Sequence, residues 1–361
     1  MTFLASPTHE IPARPPLPPP GPVWFPSVMG TGILATLLQL HAGRLPGAGG
    51  AAVVALAVAW GLLLFLTTAF AARSVARPSS FVATLRQPAL VPFWGTVAMG
   101  ILAVGSATAT VLPAHFPALA DWAWRVDRAL WLTGTAIGVV AALGFGVRLV
   151  GTELGRPTTG WGLAVVGPMV SATTGALLVP HVPASQAPYF WCAAALCFCL
   201  SLFLGLVVFA YAYHHHWRVA PVPLVAACSS WIPLGMVGQS TAAVQALAGQ
   251  GAALTTPPLG AALAHLANWY GWGMFALGIP LVAWASLVTV RGFARGMPFT
   301  PGWWALTFPI GTLALGATFL AVGTGLPSFT WLGAAVTVVL TGTVSFCLVA
   351  SGMAIWRAWH R

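Results

Sequence analysis

Residues Phe25–Gly32 read FPSVMGTG, in which a proline is followed by small and hydroxyl residues near the start of an apolar run. The same texture recurs four more times along the chain. It reads PFWGTVAMG at Pro92–Gly100, GPMVSATTG at Gly167–Gly175, PLGMVGQST at Pro233–Thr241 and FPIGT at Phe308–Thr312. A unit that recurs along a chain indicates a repeated architecture. These five segments are therefore the starting point for the fold.

The composition around these segments is that of a membrane protein. Of 361 residues, 58% are hydrophobic and 5% are charged, whereas a soluble domain carries about 25% charged residues. Such a composition excludes a soluble enzyme, a nucleic-acid-binding domain and a disordered chain. It also excludes an outer-membrane barrel, whose strands alternate polar and apolar residues. The sequence predicts an all-α polytopic membrane protein.

A helix that crosses a bilayer needs about 20 predominantly apolar residues, and ten segments meet this requirement. They are Phe25–His41, Gly50–Val75, Phe93–Leu112, Leu130–Val150, Gly160–Val179, Tyr189–Tyr213, Leu224–Ala248, Leu266–Val290, Trp304–Gly323 and Trp331–Trp356. Short connections make consecutive spans antiparallel neighbours. Residues 1–22 are proline-rich and are expected to form a mobile cytoplasmic tail, and residues 23–361 form one transmembrane domain.

The five repeated segments all fall in the odd-numbered spans. Among the even spans only the eighth carries an internal proline, Pro280. Proline removes a helical hydrogen bond, so we expect the odd spans to kink or open locally. Freed backbone and small residues are tolerated where protein or a water-filled cavity receives them. The pattern predicts an inner ring of five helices around a pore and an outer ring of five facing lipid.

The arginines predict the orientation. All 14 basic residues are arginine, and basic residues collect on the cytoplasmic side of membrane proteins. Eleven fall in the termini and in the connections after even spans, whereas Arg44, Arg125 and Arg128 fall on the opposite side. Both termini are therefore predicted to be cytoplasmic.

The acids indicate which transport chemistry is absent. Glu10, Asp121, Asp127 and Glu153 are the four acidic residues, and none lies within a predicted span. This argues against a cation pathway and against intramembrane enzymes that need acidic clusters. No metal-ligand spacing occurs among the cysteines or histidines, so no catalytic residue, metal or cofactor is expected. The net charge of +10 favours anions, although a polar lumen without charge also suits a small neutral solute.

The polar and small residues of the odd spans are the candidates for lining the pore. Gln239 is the strongest, because an amide is costly in hydrocarbon without partners. For each serine or threonine the alternative is a hydrogen bond back to its own helix. The candidates are Phe25, Gly30, Thr31, Gly95, Thr96, Pro168, Ser171, Thr173, Pro233, Gln239, Ser240, Thr307 and Pro309.

Four motifs resemble one transporter family. They are FPSVMGTG at Phe25–Gly32, LRQP at Leu85–Pro88, PLGMVGQSTAA at Pro233–Ala243 and FTPGWWALTFPIGT at Phe299–Thr312. With them the chain resembles the tellurite-resistance/dicarboxylate transporter family, which includes bacterial TehA, plant slow anion channels, the yeast malate permease and the fungal sulfite-efflux pump. The resemblance implies ten helices as five hairpins in a pseudo-fivefold arrangement around a central pore, often in a homotrimer.

The same resemblance assigns a gate. In the family a phenylalanine of the ninth span blocks the pore, and matching WWALTFPIG places it at Phe308. The alternative for this residue is a core phenylalanine packed between helices.

The sequence and the resemblance together predict a channel or channel-like transporter in the cytoplasmic membrane. Its expected partners are the lipid bilayer and a small anion, namely sulfite, chloride, nitrate or a C4-dicarboxylate such as malate. No enzyme activity and no nucleic-acid partner are expected. One alternative is a proton-linked uptake carrier for C4-dicarboxylates. Another is a membrane-embedded enzyme or a scaffold that does not transport.

Overall fold

A computed structural model of the chain describes residues 17–152 and 154–360. Within these residues all regular structure is helical. The helices are α1 (Pro26–Leu40), α2 (Ala48–Ala76), α3 (Pro78–Arg86), α4 (Phe93–His115), α5 (Ala120–Gly151), α6 (Gly162–Leu178), α7 (Ala187–Arg218), α8 (Ile232–Leu254), α9 (Pro257–Ala294), α10 (Phe308–Thr324) and α11 (Pro327–Trp359). Turns of 3-10 helix at Pro22–Trp24, Thr159–Trp161, Leu224–Trp231 and Pro301–Leu306 lead into α1, α6, α8 and α10.

Each predicted span corresponds to one long helix. Nine helices of the described chain are long and apolar enough to cross a membrane, so the protein is an all-α polytopic membrane protein. The remaining span, α8, has 23 residues but includes glutamines and hydroxyl residues that lower its mean hydropathy. The short helix α3 was not predicted, because its nine residues lie in what reads as a connection.

Burial separates the helices into two groups. In the apolar segments that contain α1, α4, α6 and α10, between 67% and 94% of the residues are buried. In α2, α5, α7, α9 and α11 the share is 17% to 33%. In α8 every residue from Ile232 to Ala243 is buried. The odd spans are therefore inside and the even spans outside, as the repeated texture predicted.

The inner helices form a closed ring. Helix α1 contacts α4, α4 contacts α6, α6 contacts α8, α8 contacts α10, and α10 returns to α1. Each inner helix also packs against the outer helix that follows it in the chain, so the fold consists of five hairpins. An outer helix covers part of the next inner helix as well, as α5 does with α6. The arrangement places the apolar faces of the outer helices toward lipid.

Glycine is required at four of the five junctions of this ring. A side chain at Gly95 would collide with the carbonyl oxygen of Leu163 in α6, and one at Gly238 would collide with the backbone of Thr312 in α10. A side chain at Gly32 would collide with Ala103 of α4, and one at Gly30 would collide with the side chain of Thr307, the residue before α10. Small residues let helix backbones approach closely where the hydrophobic effect does not hold helices together.

The fifth junction, between α6 and α8, contains a hydrogen bond. The Nε2 atom of Gln239 donates to Oγ1 of Thr173 over 2.8 Å, and both side chains are buried. An amide in an apolar interior is costly without partners. The bond therefore fixes the relative positions of the two helices.

The prolines have a different role from the predicted one. Pro26, Pro233 and Pro309 lie in the first turn of α1, α8 and α10, where a helix has no internal partner for the missing N–H group. Pro92 is the residue before α4. Only Pro168 lies inside its inner helix, α6, among the five repeated prolines. The repeated proline therefore marks the start of four inner helices, and of the five only Pro168 removes a hydrogen bond from the interior of its helix.

Two boundaries also differ from the predictions. The first 16 residues of the predicted tail lie outside the described residues, but Pro18 and Pro20 accept hydrogen bonds from Trp24 and Arg73, so the end of the tail packs against the helices. Helix α5 begins at Ala120, ten residues before the predicted span. It thereby includes Asp127, which is 2% exposed and fits against Gly105 of α4. The expectation that no acid lies within a span is corrected accordingly.

The closeness of the ring junctions can be tested with Gly238→Ala. The new methyl group would meet the backbone of α10, which cannot rotate away. We expect a loss of stability of about 1–3 kcal/mol, the usual cost of overpacking, measured as a lower unfolding temperature in detergent. The control is Gly342→Ala on α11, where the added methyl group meets open space and alanine favours the helix. Equal melting of Gly238→Ala and wild type would contradict close packing at this junction.

Candidate functional site

A cavity of about 680 Å³ lies at the N-terminal ends of the inner helices. We call it the vestibule. All five inner helices or the turns that precede them contribute to its wall, through residues such as Pro26, Phe93, Trp161, Ile232 and Ala305. Because all five contribute their N-terminal ends, the inner helices are parallel to one another and the vestibule lies on the axis of the ring.

A second cavity, of about 270 Å³, lies further along the same axis. We call it the chamber. It is lined by later residues of the same five helices, including Thr36 of α1, Ser106 of α4, Gln239 of α8 and Leu315 of α10. The order of these residues along their helices places the chamber beyond the vestibule, toward the C-terminal ends of the inner helices.

Phe308 is the one residue of the described chain that lines both cavities. It is the first residue of α10 and follows Thr307, whose φ and ψ of −108° and −73° mark the end of the preceding 3-10 turn. Pro309 comes next and lines the vestibule. The side chain of Phe308 is 3% exposed. An aromatic ring therefore lies at the boundary between the two spaces, at a point where the helix changes its hydrogen-bond pattern.

The vestibule is electropositive. Arg156 is the one charged side chain among the described residues that line it, and Thr158, Ser229 and Thr300 add hydroxyl groups. The N-terminus of a helix carries a partial positive charge, and the parallel inner helices direct five such ends toward this space. An anion that enters the vestibule therefore meets favourable electrostatics before it reaches Phe308.

The chamber is mostly apolar, with a few hydroxyl and amide groups and no charged side chain among the described residues that line it. Among the described residues its polar lining consists of Thr36, Ser106, Thr110, Thr173, Thr174 and Gln239. Most of these hydroxyls donate to carbonyls of their own helices: Thr110 donates to Ser106 over 2.7 Å and Thr174 to Val170 over 2.9 Å. Such groups contribute weak dipoles and no charge, which suits a solute that must leave easily.

The vestibule and the chamber together form a path along the axis of the ring. Four of the predicted site residues line it, namely Phe308, Pro309, Thr173 and Gln239. The structure places the other ten outside both cavities, at contacts within or between helices. They are Phe25, Gly30, Thr31, Gly95, Thr96, Pro168, Ser171, Pro233, Ser240 and Thr307.

The hydroxyl residues among these ten mostly follow the alternative stated for them. Thr31 donates to the carbonyl of Ser27 over 2.8 Å, Thr96 to Phe93 over 2.7 Å and Thr307 to Trp304 over 2.7 Å. Ser240 donates to Val237 over a longer 3.4 Å. The glycines lie at the ring junctions. These residues build the wall of the path without reaching its surface.

Several polar residues that line the two cavities were not predicted, and for some of them the sequence held a signal. Ser106 and Thr110 are four residues apart on α4, and this spacing places both on one face of the helix. Arg156 follows the α5 helix in a connection, and its position beside the vestibule depends on how that connection folds back.

Comparison with known proteins agrees with this architecture. Residues 21–351 match the family model SLAC1, described as a voltage-dependent anion channel. The sulfite efflux pump SSU1 of Trichophyton rubrum is 27% identical over 334 residues, which cover 89% of this chain and 86% of that protein. The SSU1 protein of Arthroderma otae is 27% identical over 82% of this chain and 80% of its own length. The uncharacterized transporter MJ0576 of Methanocaldococcus jannaschii is 24% identical over 80% of both chains.

The two cavities predict which positions a polar thiol reagent reaches. In a background without the five native cysteines, we expect Ser106→Cys and Thr173→Cys to react with a small charged reagent supplied from the chamber side. Thr96→Cys and Ser171→Cys serve as matched controls, because both positions are buried in the same helices but line neither cavity. They should react far more slowly. Equal reactivity of all four positions would contradict the assigned path.

Proposed function

The chain belongs to the SLAC1 family of voltage-dependent anion channels, and we propose that it carries a small anion along the axis of its inner ring, past a gate formed by Phe308. The observation that carries this proposal is the pair of cavities lined by all five inner helices, with Phe308 as their shared residue. Ten helices, including α8, cross the membrane in this proposal.

Electrostatics favour an anion at each stage of the path. The vestibule presents Arg156 and five helix N-termini, and the whole chain has a net charge of +10. A positive surface field raises the local concentration of anions. The chamber offers apolar side chains, a few amide and hydroxyl dipoles and no charge among its described residues, so in this proposal the anion is attracted at the entrance and is not held tightly beyond the gate.

The ring of Phe308 closes the path by excluding water. An aromatic side chain in a narrow passage leaves no room for a hydrated ion and offers no ligands to replace its water, so conduction stops by dewetting. Pro309 gives α10 a first turn without an N–H donor at that position. That proline costs no helical hydrogen bond there, and only Thr307 separates Phe308 from the 3-10 turn Pro301–Leu306. In this proposal the ring swings aside at that change of hydrogen-bond pattern, after which the vestibule and the chamber become continuous.

Sulfite is the first substrate to test, because the fungal relatives are named as sulfite efflux pumps. Chloride, nitrate and malate complete the panel, since hydroxyl and amide dipoles discriminate weakly among small anions. The positive-inside distribution of arginine puts the vestibule and both termini on the cytoplasmic side. Efflux would then run from the vestibule through the chamber.

The gate is tested by Phe308→Ala in purified protein reconstituted into liposomes. We expect basal sulfite flux to rise strongly, since the substitution removes the ring that separates the cavities. Anion-selective reversal potentials should accompany the increase. Cation permeation without anion current would contradict the proposal, and so would unchanged flux in well-folded Phe308→Ala protein.

Phe329→Ala is the matched control for this experiment. Phe329 is a buried phenylalanine, 7% exposed, that packs against Trp272 and Phe275 and lines neither the vestibule nor the chamber. Its truncation should cost about 3–5 kcal/mol of stability, as for other buried aromatic residues, without increasing flux. A gain of flux in both variants would mean that the increase reflects loosened packing.

A second candidate function is a proton-linked carrier, and Asp127 is the observation that favours it. Its side chain is buried on α5, and Oδ1 has no hydrogen-bond partner among the described residues. Carboxyl groups at such positions often belong to proton pathways. However, Asp127 lines neither cavity, so a channel that does not move protons is the first proposal.

An imposed pH gradient distinguishes the two functions. A proton-linked carrier would accumulate anion in response to the gradient and would lose this response in Asp127→Asn, which preserves the size of the side chain. For the channel we expect the same reversal potential with and without the gradient, in wild type and in Asp127→Asn alike. Gradient-driven accumulation in wild type alone would establish the carrier.

A further inference from the structure

A third cavity, of about 500 Å³, opens on the outer surface between α3 and α5. We call it the lateral groove. One wall is α5, from Ala136 to Arg148, and the opposite wall is formed by Phe81 and Leu85 of α3. These two side chains are four residues apart and share one face of their helix. Trp94 of α4 completes the wall.

The groove has the length and the polarity of a site for one lipid chain. From Arg148 to Ala136 the helix extends about 18 Å at 1.5 Å per residue, which is close to half of the roughly 30 Å hydrocarbon core. Its lining is apolar except at one end, where Arg148 lies in the last turn of α5. Gly144 leaves the middle open, since nothing lies within 4 Å of a side chain added there.

Charge identifies the kind of lipid. Arg148 is half-buried at the cytoplasmic end of its helix in the orientation proposed above, where a guanidinium pairs well with a phosphate. Basic residues at the cytoplasmic surface attract anionic lipids. An anionic occupant of the groove would place its phosphate beside this arginine.

The lateral groove shares a wall with the transport path. In the turn between α3 and α4, Pro88, Ala89, Pro92 and Phe93 line the vestibule. Val91 and Trp94, from the same stretch of chain, line the groove. One thin segment therefore separates the two spaces.

Contacts on the groove side hold this segment in place. The Nε1 atom of Trp94 donates to Oγ1 of Thr84 over 3.2 Å, and its ring packs edge-on against Phe81 at 5.8 Å. An occupant of the groove would therefore press on the same side chains that position the vestibule wall.

We propose that the lateral groove binds one anionic phospholipid, with an acyl chain along α5 and the phosphate at Arg148, and that the bound lipid supports the vestibule wall. The binding stands on the groove alone, whereas the effect on transport rests on the proposed function.

Binding is tested by native mass spectrometry of protein exchanged into phosphatidylcholine containing phosphatidylglycerol. Wild type should retain one phosphatidylglycerol per chain, and Arg148→Gln should retain it about fivefold more weakly, the effect of one arginine near an anionic surface. Gly144→Phe fills the groove and should abolish retention, whereas Arg148→Lys should preserve it. The matched controls are Arg291→Gln, in the last turn of α9, and Gly342→Phe, at an open position on α11.

Equal retention in wild type, Arg148→Gln and Gly144→Phe would overturn the lipid site. Displacement of phosphatidylglycerol by excess inorganic phosphate would also overturn it, because the site would then recognise a free anion. If Gly144→Phe dissociated an oligomer without changing lipid retention, the groove would be an interface between copies of this chain, and the proposal would be wrong.

Transport supplies the second readout. Sulfite flux in vesicles of pure phosphatidylcholine should increase when phosphatidylglycerol is added, and this increase should disappear in Arg148→Gln and Gly144→Phe but not in the two controls. If the protein retained the lipid but sulfite flux did not change with phosphatidylglycerol, the proposal that the lipid supports the vestibule wall would be wrong. If the protein retained the lipid specifically but no variant carried anions, the proposed transport function would be wrong and the proposed lipid site would still hold.

Discussion

At four of the five junctions of the inner ring, a glycine leaves room for the neighbouring helix or the residue that precedes it, and at the fifth a buried amide donates to a hydroxyl. The other features of the molecule depend on these contacts. Only a closed ring brings five helix N-termini around one space. Only closely packed helices keep lipid out of that space while still leaving two cavities on the axis.

The same contacts explain why the inner and outer helices differ in composition. A helix whose surface is mostly glycine, alanine, serine and threonine packs tightly but exposes backbone, so it needs cover on its outer side. The outer helices supply that cover with their leucine, valine and aromatic side chains. Each hairpin therefore joins one helix suited to packing with one suited to lipid, and five such hairpins complete the ring.

The sequence predicted the architecture well because hydropathy and small-residue content are properties of whole segments. All ten spans correspond to helices, and the repeated texture correctly separated the inner helices from the outer ones. The function of single residues was harder to predict, since small and hydroxyl residues suit both a helix contact and a lumen. Thr96 and Thr173 have the same chemistry, yet only Thr173 reaches a cavity, whereas Thr96 donates to the carbonyl of Pro22 in the turn before α1.

Other features escaped prediction for identifiable reasons. Asp127 lies beyond the end of an apolar window, and the polar residues that end the window do not end the helix. Arg156 depends on the path of a connection. The lateral groove depends on α3, whose nine residues form a helix only because Thr84 and Phe81 contact Trp94 of the neighbouring inner helix. In each case the position of the residue depends on contacts between segments that are distant in the sequence, and patterns read from short stretches of sequence do not include such contacts.

Gln239, predicted to line a pore, borders the chamber in the structure, and its chemistry leaves fewer alternatives than that of a hydroxyl residue. A threonine hydroxyl reaches the carbonyl four residues earlier in its own helix, whereas an amide on a longer side chain cannot satisfy both of its ends in this way. It therefore needs a neighbouring helix. Since Thr173 supplies the partner and both residues border the chamber, the polar group that holds α6 to α8 also forms part of the surface beyond the gate.

The placement of charge along the axis fits a gate that needs no charge of its own. A charged residue beside Phe308 would keep water in the constriction and would bind the anion at the point where passage must be fastest. The described chain instead places Arg156 in the vestibule and no charged side chain in the chamber. In the proposed mechanism, attraction is therefore strongest where the anion is still hydrated, and passage through the dry constriction depends on movement of the Phe308 ring alone.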